Sequence, residues 1–499
     1  MDFISNLSLG FAVALTLKNL GLAFIGCVVG TLVGVLPGVG PTATIAMLLP
    51  ITFGLDPAGA LIMLAGIYYG AQYGGSTTAI LVNIPGEASS VVTVLDGHQM
   101  ARQGRAGVAL GIAAIGSFIA GTVATLVIAS IGVPLTKVAL LFGPHDYFSL
   151  MLLGLVFSII LAQGSILKAV SMVILGVLLA TVGSDLQSGQ ERLTFGFDFL
   201  YEGIDFVVLA MGLFGIAEIL RNIEKSENRE IANSALGRIL PNRAEFRQSF
   251  GPILRGTGLG AVLGILPGGG SVLGPFASYA TEKKIARDPN RFGKGAIEGL
   301  AGPEAANNAG AQLSFVPLLT LGIPPNSVMA LMVGAMMIHG IIPGPQVVTS
   351  NPDLFWGLIA SMWIGNLMLL MLNLPLISVW VQLLRVPYQL LFPCVLVFCA
   401  VGIYSIGNAP ADVLLTMVAG VVGYLLLKFG FEPAPLLLGF VLGRLMEENL
   451  RRALIISDGD LTSFLTEPLS ASFLAITAGL FLVTVFPSIQ AFRRRAFAE

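Results

Sequence analysis

Charge is what this chain has least of. Of its 499 residues only 11% are charged, against about 25% in an ordinary soluble domain. The three cysteines, Cys27, Cys394 and Cys399, sit in apolar stretches without CxxC spacing, which argues against a disulfide framework or a thiolate metal site. The three histidines, His98, His145 and His339, are scattered and show no metal-ligand spacing. No basic stripe is interleaved with aromatics, so no nucleic-acid partner is expected. No GxxxxGK[ST] string exists, which excludes an ATP-driven pump on this chain. No nucleophile is paired with a base, so the chain does not read as an enzyme. The N-terminus lacks a basic n-region and a small-residue cleavage site, and no removable signal peptide is expected.

Apolar residues take the place of charge. The chain is 55% hydrophobic, with a mean hydropathy of +0.87. A soluble fold of this length has no interior large enough to hide that surface, so the surrounding solvent is a lipid bilayer. About ten stretches approach the roughly 20 apolar residues that a membrane-spanning helix needs. The 61 glycines and 27 prolines are many for such a protein, and their placement carries the rest of the reading.

The chain repeats itself. GVLPGVG at 34–40 returns as GILPGGG at 264–270, GAQ at 70–72 returns as GAQ at 310–312, and FGFD at 195–198 returns as FGFE at 429–432. Three anchors in one order at nearly one spacing mark two homologous halves. Lys and Arg concentrate in cytoplasmic loops. The stretch from Arg221 to Arg255 and the cluster Lys283, Lys284, Arg287, Arg291, Lys294 are both basic. Residues 256–282 therefore enter and leave the membrane on one side, as a re-entrant hairpin tipped by GILPGGG. The matching hairpin at 19–55 exits near Asp56 and Pro57, with no cation, and opens to the other side. An interrupted segment at 57–103 and spans at 106–133, 145–161, 165–183 and 204–221 bring the chain back to the basic linker. The second half, with an interrupted 296–343 and spans at 354–384, 388–405, 411–428 and 433–450, is then inverted. A last span at 470–487 places the Arg493–Arg495 tail in the cytoplasm. Arg451 and Arg452 fit this map badly, which suggests that part of 433–466 is interfacial. The fold expected is an all-α integral membrane protein of two inverted-topology repeats with re-entrant hairpins and interrupted helices, about 10–12 spans in all. Its parts are an N-terminal helix (1–17), a first repeat (18–221), a cytoplasmic linker (222–249), a second repeat (250–452) and a C-terminal segment (453–499).

Backbone that leaves a helix inside lipid survives only where protein, water, an ion or a substrate satisfies it. The Gly/Pro breaks are therefore the candidate site. One pair comprises Gly38, Gly40 and Thr42, matched by Gly268, Gly269, Gly270 and Ser271; either alone also reads as a tight structural turn. The other comprises Gly74-Gly75-Ser76-Thr77-Thr78, running on to Asn83-Ile84-Pro85-Gly86, matched by Gln312 through Pro324-Pro325-Asn326-Ser327; helix-packing Ser, Thr and Gly is its plainer reading. Asn307 and Asn308 are candidates for the same cavity. Freed N–H groups at helix N-termini attract anions, and neutral oxygens from Ser76, Asn83, Ser271 and Gln312 suit a sodium ion. Glu87, Asp96, Glu298 and Glu304 flank the interrupted segments, either as helix-start acids or, for Glu304 above all, as a proton-coupling group. The site expected is that of a cation-coupled carrier of small organic anions. No other cofactor is expected.

The strings GVLPGVGPTATIAMLLP (34–50), YGAQYGGSTTAILVNIPGE (69–87), GPEAANNAGAQ (302–312) and TLGIPPN (320–326) make the chain resemble the large membrane subunit of the tripartite tricarboxylate transporter family. The resemblance covers essentially the whole chain. It implies a bacterial inner-membrane permease that works with a small four-span membrane subunit and a periplasmic solute-binding protein, driven by a sodium or proton gradient. A tricarboxylate or another carboxylate is the implied substrate. A carrier that works without accessory subunits is the alternative. The hairpins are also similar to those of dicarboxylate and sialic-acid permeases that move by an elevator, a likeness of fold only.

Overall fold

The computed structural model describes residues 3–36, 40–162, 165–185, 188–224, 237–266, 270–383 and 392–485, and most of them are helical. The hairpin tips at 37–39 and 267–269, part of the linker and the arginine tail lie outside the described residues, and with them the readings of Gly38, Gly268 and Gly269.

In chain order the first helices are α1 (Phe3–Ala14), α2 (Leu17–Val35), α3 (Pro41–Thr52), α4 (Pro57–Val82), α5 (Ala106–Ala139), α6 (Pro144–Leu161) and α7 (Ile166–Ala180). A two-stranded antiparallel ribbon, β1 (Gly183–Ser184) with β2 (Glu191–Arg192), precedes α8 (Phe206–Glu224), which carries a π-helical stretch at Met211–Ile216. There follow α9 (Arg243–Gly264), α10 (Gly270–Ile285), α11 (Glu298–Leu313), α12 (Phe315–Leu321), α13 (Ser327–Ile338), α14 (Pro352–Asn373), α15 (Ile377–Leu383), α16 (Phe392–Gly407), α17 (Pro410–Lys428), α18 (Pro433–Ile456) and α19 (Pro468–Val485). Among the described residues five helical stretches are long and apolar enough to cross a membrane: α2, Ala101–Ala139, α8, α14 and α17. The other helices are shorter, carry charge or, like the 26-residue α4 with its Gln72, Ser76, Thr77 and Thr78, are less apolar. The span expected at 354–384 is two helices, because Leu374-Pro375-Leu376 interrupts it and proline cannot continue the hydrogen-bond ladder. The 433–466 segment begins with an unbroken 24-residue helix, α18.

Contacts divide the chain into two compact units, residues 1–136 with 207–424 and residues 137–206 with 425–499. The division cuts across the two sequence halves. In the larger unit, α2 lies along α4 so closely that a Cβ on Gly26, Gly30 or Gly34 would fall 2.2, 2.3 and 2.4 Å from the carbonyl oxygens of Met63, Ile67 and Ala71. The same seam recurs between α9 and α11, where a Cβ on Gly256 or Gly260 would fall 2.1 and 2.2 Å from the Gly302 and Ala306 carbonyls, and one on Gly264 2.6 Å from Gly310. Only glycine every fourth residue lets two backbones approach so closely, and in lipid such packing is a main source of helix association. Each hairpin thus has its entry arm fastened to the helix that follows the hairpin in sequence. The helices α4 and α11 are buried along almost their whole lengths, from Gly59 to Val82 and from Gly299 to Leu313. By contrast α17 exposes Leu414, Val418, Val421 and Leu425, an apolar face suited to lipid or another subunit.

In the smaller unit, α18 packs on α6 and α7, with Gly176 against the Leu436 backbone. Arg451 reaches Asp185 at 2.6 Å and Glu447 at 2.7 Å, Arg192 also pairs with Glu447 at 2.6 Å, and Arg452 pairs with Glu448. The two arginines that fit the loop-charge map badly are thus both matched by carboxylates.

Candidate functional site

The first helix break differs from its expected place. Gly74-Gly75-Ser76-Thr77-Thr78 lies inside unbroken α4, not at an interruption. Gly74 is needed for contact, since a Cβ there would meet the Thr31 carbonyl at 2.3 Å. The three hydroxyl oxygens lie near the carbonyls four residues earlier, Ser76 3.0 Å from Gln72, Thr77 3.3 Å from Tyr73 and Thr78 3.4 Å from Gly74, a geometry compatible with a helix. Thr78 also donates to the Val35 carbonyl at 2.8 Å, satisfying an end-group of α2 just before the first hairpin tip.

The chain leaves α4 at Asn83, which adopts the left-handed conformation (φ 62°, ψ 22°) that asparagine tolerates. Ile84-Pro85-Gly86 then runs to Glu87 (φ −154°, ψ 170°), which caps the turn Ala88–Ser90. The second break repeats this path. Gly322 ends α12 in the left-handed conformation (φ 74°, ψ 16°), Ile323-Pro324-Pro325 follows, and Asn326 (φ −154°, ψ 173°) caps α13 by accepting the Met329 N–H at 2.9 Å. Asn83 corresponds to Gly322, and Glu87 to Asn326, at one spacing in the sequence.

The halves meet crosswise. The return arm of the first hairpin, α3, packs on α13, the helix after the second break, and Thr42 Oγ1 lies 3.3 Å from Ser327 Oγ. The return arm of the second hairpin, α10, packs on residues 88–93 after the first break. The Tyr68 hydroxyl stands among Ser271, Ser314 and Asn326. The N-termini of α3, α10 and α13 therefore converge around Tyr68, Thr42, Ser271 and Ser327. Gly40, the cap of α3, offers no side chain to its first N–H groups, which leaves them for a ligand. Gly270, the first residue of α10, occupies the matching place.

A second polar cluster lies alongside. Glu304, 1% exposed, accepts from Ser76 at 2.5 Å and from Thr93. Glu87 accepts from Gln72 at 3.0 Å and Ser89 at 2.7 Å, and Asn307 stands beside it. Glu304 lies inside α11 and is no helix-start acid, whereas Glu87 is half-buried and does start its turn. Asp96 and Glu298 have structural partners. Asp96 accepts the Gly295 and Ala296 N–H groups at 2.8 Å each and the Tyr279 hydroxyl at 3.0 Å, and Glu298 pairs with Arg291 and Gln248. Asn308 donates to Ser117 at 2.6 Å, and Gln312 accepts from Thr125 of α5 at 2.6 Å. Asn83 is exposed at its helix cap. Ser76, Asn83, Ser271 and Gln312 thus each have separate surroundings. Tyr68, Gln72 and Ser89 were not singled out by sequence; they are ordinary residue types whose role appears only once the breaks cross.

The sequence profile of the family described as the tripartite tricarboxylate transporter TctA family matches residues 20–438. The chain belongs to this family. The TctA match spans both seams and both breaks. A protein of Agrobacterium vitis described as an uncharacterized 52.8 kDa protein in the TAR-I ttuC' 3' region is 59% identical over 499 residues, covering 100% of this chain and 99% of that protein. A second from the same organism, described as an uncharacterized protein in the TAR-II ttuC' 3' region, is 58% identical over 240 residues, 48% of this chain and 99% of that protein. No solved structure matches the chain. Membership in TctA, together with the apolar helices, makes this a multi-pass membrane protein of a transporter family.

Proposed function

We propose that this chain is the permease of a bacterial inner-membrane system that takes up small carboxylates, receiving them from a periplasmic binding protein and working beside a small four-span subunit, with sodium or proton entry as the driving force. The observation that carries the reading is the convergence of three helix N-termini on Tyr68, Thr42, Ser271 and Ser327. Helix N-termini present N–H donors and a partial positive charge, so they hold a carboxylate without any buried lysine or arginine. We read the halves as inverted repeats, supported by the two glycine seams and the two breaks of equal backbone path. Movement of the hairpins and breaks as one body against α5 and α14 is the mechanism that suits such repeats.

The test is uptake of radiolabelled di- and tricarboxylates into proteoliposomes containing this chain with its small subunit and binding protein. Tyr68→Phe and Thr42→Val should each lower uptake at least tenfold while the protein still inserts and purifies. Wild-type uptake in both variants would overturn this placement of the substrate. Sodium and proton gradients are imposed separately to identify the driving ion.

A further inference from the structure

Glu304 is a buried carboxylate whose two oxygens accept hydroxyl hydrogens. Among the described residues it has no lysine, arginine or histidine partner. An ionised carboxylate in so apolar a setting requires a compensating positive charge or a proton. Next to it lies a cavity of about 10 Å³ lined by Ser76, Thr77, Ser117, Glu304 and Asn373 together with apolar side chains. That is the size of one water molecule or one bare ion.

The donors around this cavity are largely committed elsewhere. The Ser76 hydroxyl serves Glu304 and the Thr77 hydroxyl the Tyr73 carbonyl at 3.3 Å, while Ser117 accepts from Asn308 at 2.6 Å and keeps its own hydrogen and a second lone pair. Asn373, 5% exposed, donates its amide to the Leu369 carbonyl at 2.9 Å and leaves its Oδ1 buried with no partner. The polar part of its wall, set among Tyr73, Leu110, Ala113, Ala114 and Ile377, therefore offers oxygen lone pairs and one carboxylate. Hard monovalent cations take oxygen ligands of this kind, by the same logic that gives calcium and magnesium their oxygen shells. A water molecule would satisfy Asn373 but leave Glu304 to be neutralised by a proton, an outcome that the sodium dependence measured below tells apart from a bound ion.

We propose that this cavity is a sodium site, with Glu304 supplying the charge and Asn373, Ser76, Thr77 and Ser117 the neutral oxygens. The proposal rests on the cation-coupled reading above and names its ion-binding residues. Ser76 and Thr77 belong to the stretch whose oxygens the sequence favoured, whereas Ser117, Asn373 and the Glu304 carboxylate as a sodium ligand do not.

The experiment is binding of radioactive sodium to the purified protein by equilibrium dialysis, with melting temperatures measured in sodium chloride and in choline chloride at equal ionic strength. Wild type should bind one ion at this site and melt higher in sodium. Glu304→Gln and Asn373→Leu, checked for monodisperse elution, should each lose the bound ion and the sodium-dependent rise. Absence of any sodium-specific effect in wild type, or an undiminished effect in Glu304→Gln, would overturn the site. If either variant fails to fold, Ser117→Ala provides the measurement, and at least a fivefold weaker sodium affinity is expected; unchanged affinity counts against the site. Uptake is scored apart from binding. Sodium bound at Glu304 with uptake indifferent to sodium would keep the site and remove the coupling, and sodium-driven uptake with binding intact in Glu304→Gln would do the reverse.

Discussion

Asn83 and Gly322 stand at the same left-handed corner, with φ of 62° and 74°, yet they are not interchangeable. Asn83 is exposed, whereas a Cβ on Gly322 would lie 2.6 Å from the Pro343 carbonyl oxygen. Asn83→Gly should therefore leave thermal stability within about 0.5 kcal/mol of wild type, as surface changes usually do. Gly322→Asn keeps the backbone conformation accessible but forces a side chain onto that carbonyl. It should cost about 1–3 kcal/mol, the usual penalty of overpacking. Detergent melting curves of the two single variants check the contrast, and equal losses would remove this account of the corner.

At the scale of elements, the glycine seams set the distances on which both hairpins depend. Gly30→Ala and Gly260→Ala should each lower melting temperature and yield, because the new Cβ meets backbone carbonyls that have no free rotation. Gly21 of α2 and Gly258 of α9 have nothing within 4 Å of an added Cβ. Alanine at either should be neutral or stabilise by up to about 1 kcal/mol through helix propensity. A series in which all four variants behave alike would count against the seams.

These glycines also show what was legible in the sequence. The duplication was readable, because short strings such as GVLPG and GILPG survive in order. The Ile-Pro steps were readable as helix ends, because proline removes a donor wherever it stands. Gly74-Gly75 was misread as a break, because a glycine that ends a helix and a glycine that admits a neighbouring backbone look the same in one dimension. The spacing of Gly26, Gly30 and Gly34, repeated at Gly256, Gly260 and Gly264, held the signal that separates the two uses. The crossing of Thr42 with Ser327 left no local trace at all, since each residue is conventional beside its own sequence neighbours.

At the scale of the whole molecule, the loop-charge argument sets residues near 190 outside and the basic linker inside. In a background lacking Cys27, Cys394 and Cys399, a cysteine at Gln190 should react with a membrane-impermeant thiol reagent in outer-membrane-permeabilised cells, and one at Arg247 should react only after lysis. The opposite pattern would invert the map. Arg192 and Arg451 are paired with Glu447 and Asp185, so this segment brings little unmatched positive charge to whichever side the labelling assigns it.

The contact between Thr42 and Ser327 joins residues 285 positions apart. At ~5–20 residues per second, a ribosome takes on the order of tens of seconds to deliver the second partner after the first. During that interval α3 has left the ribosome but the helix it packs on does not exist. Until then the face of α3 that meets α13 has no partner from the second half. The packing that surrounds Thr42 is therefore complete only once α13 has been made and inserted.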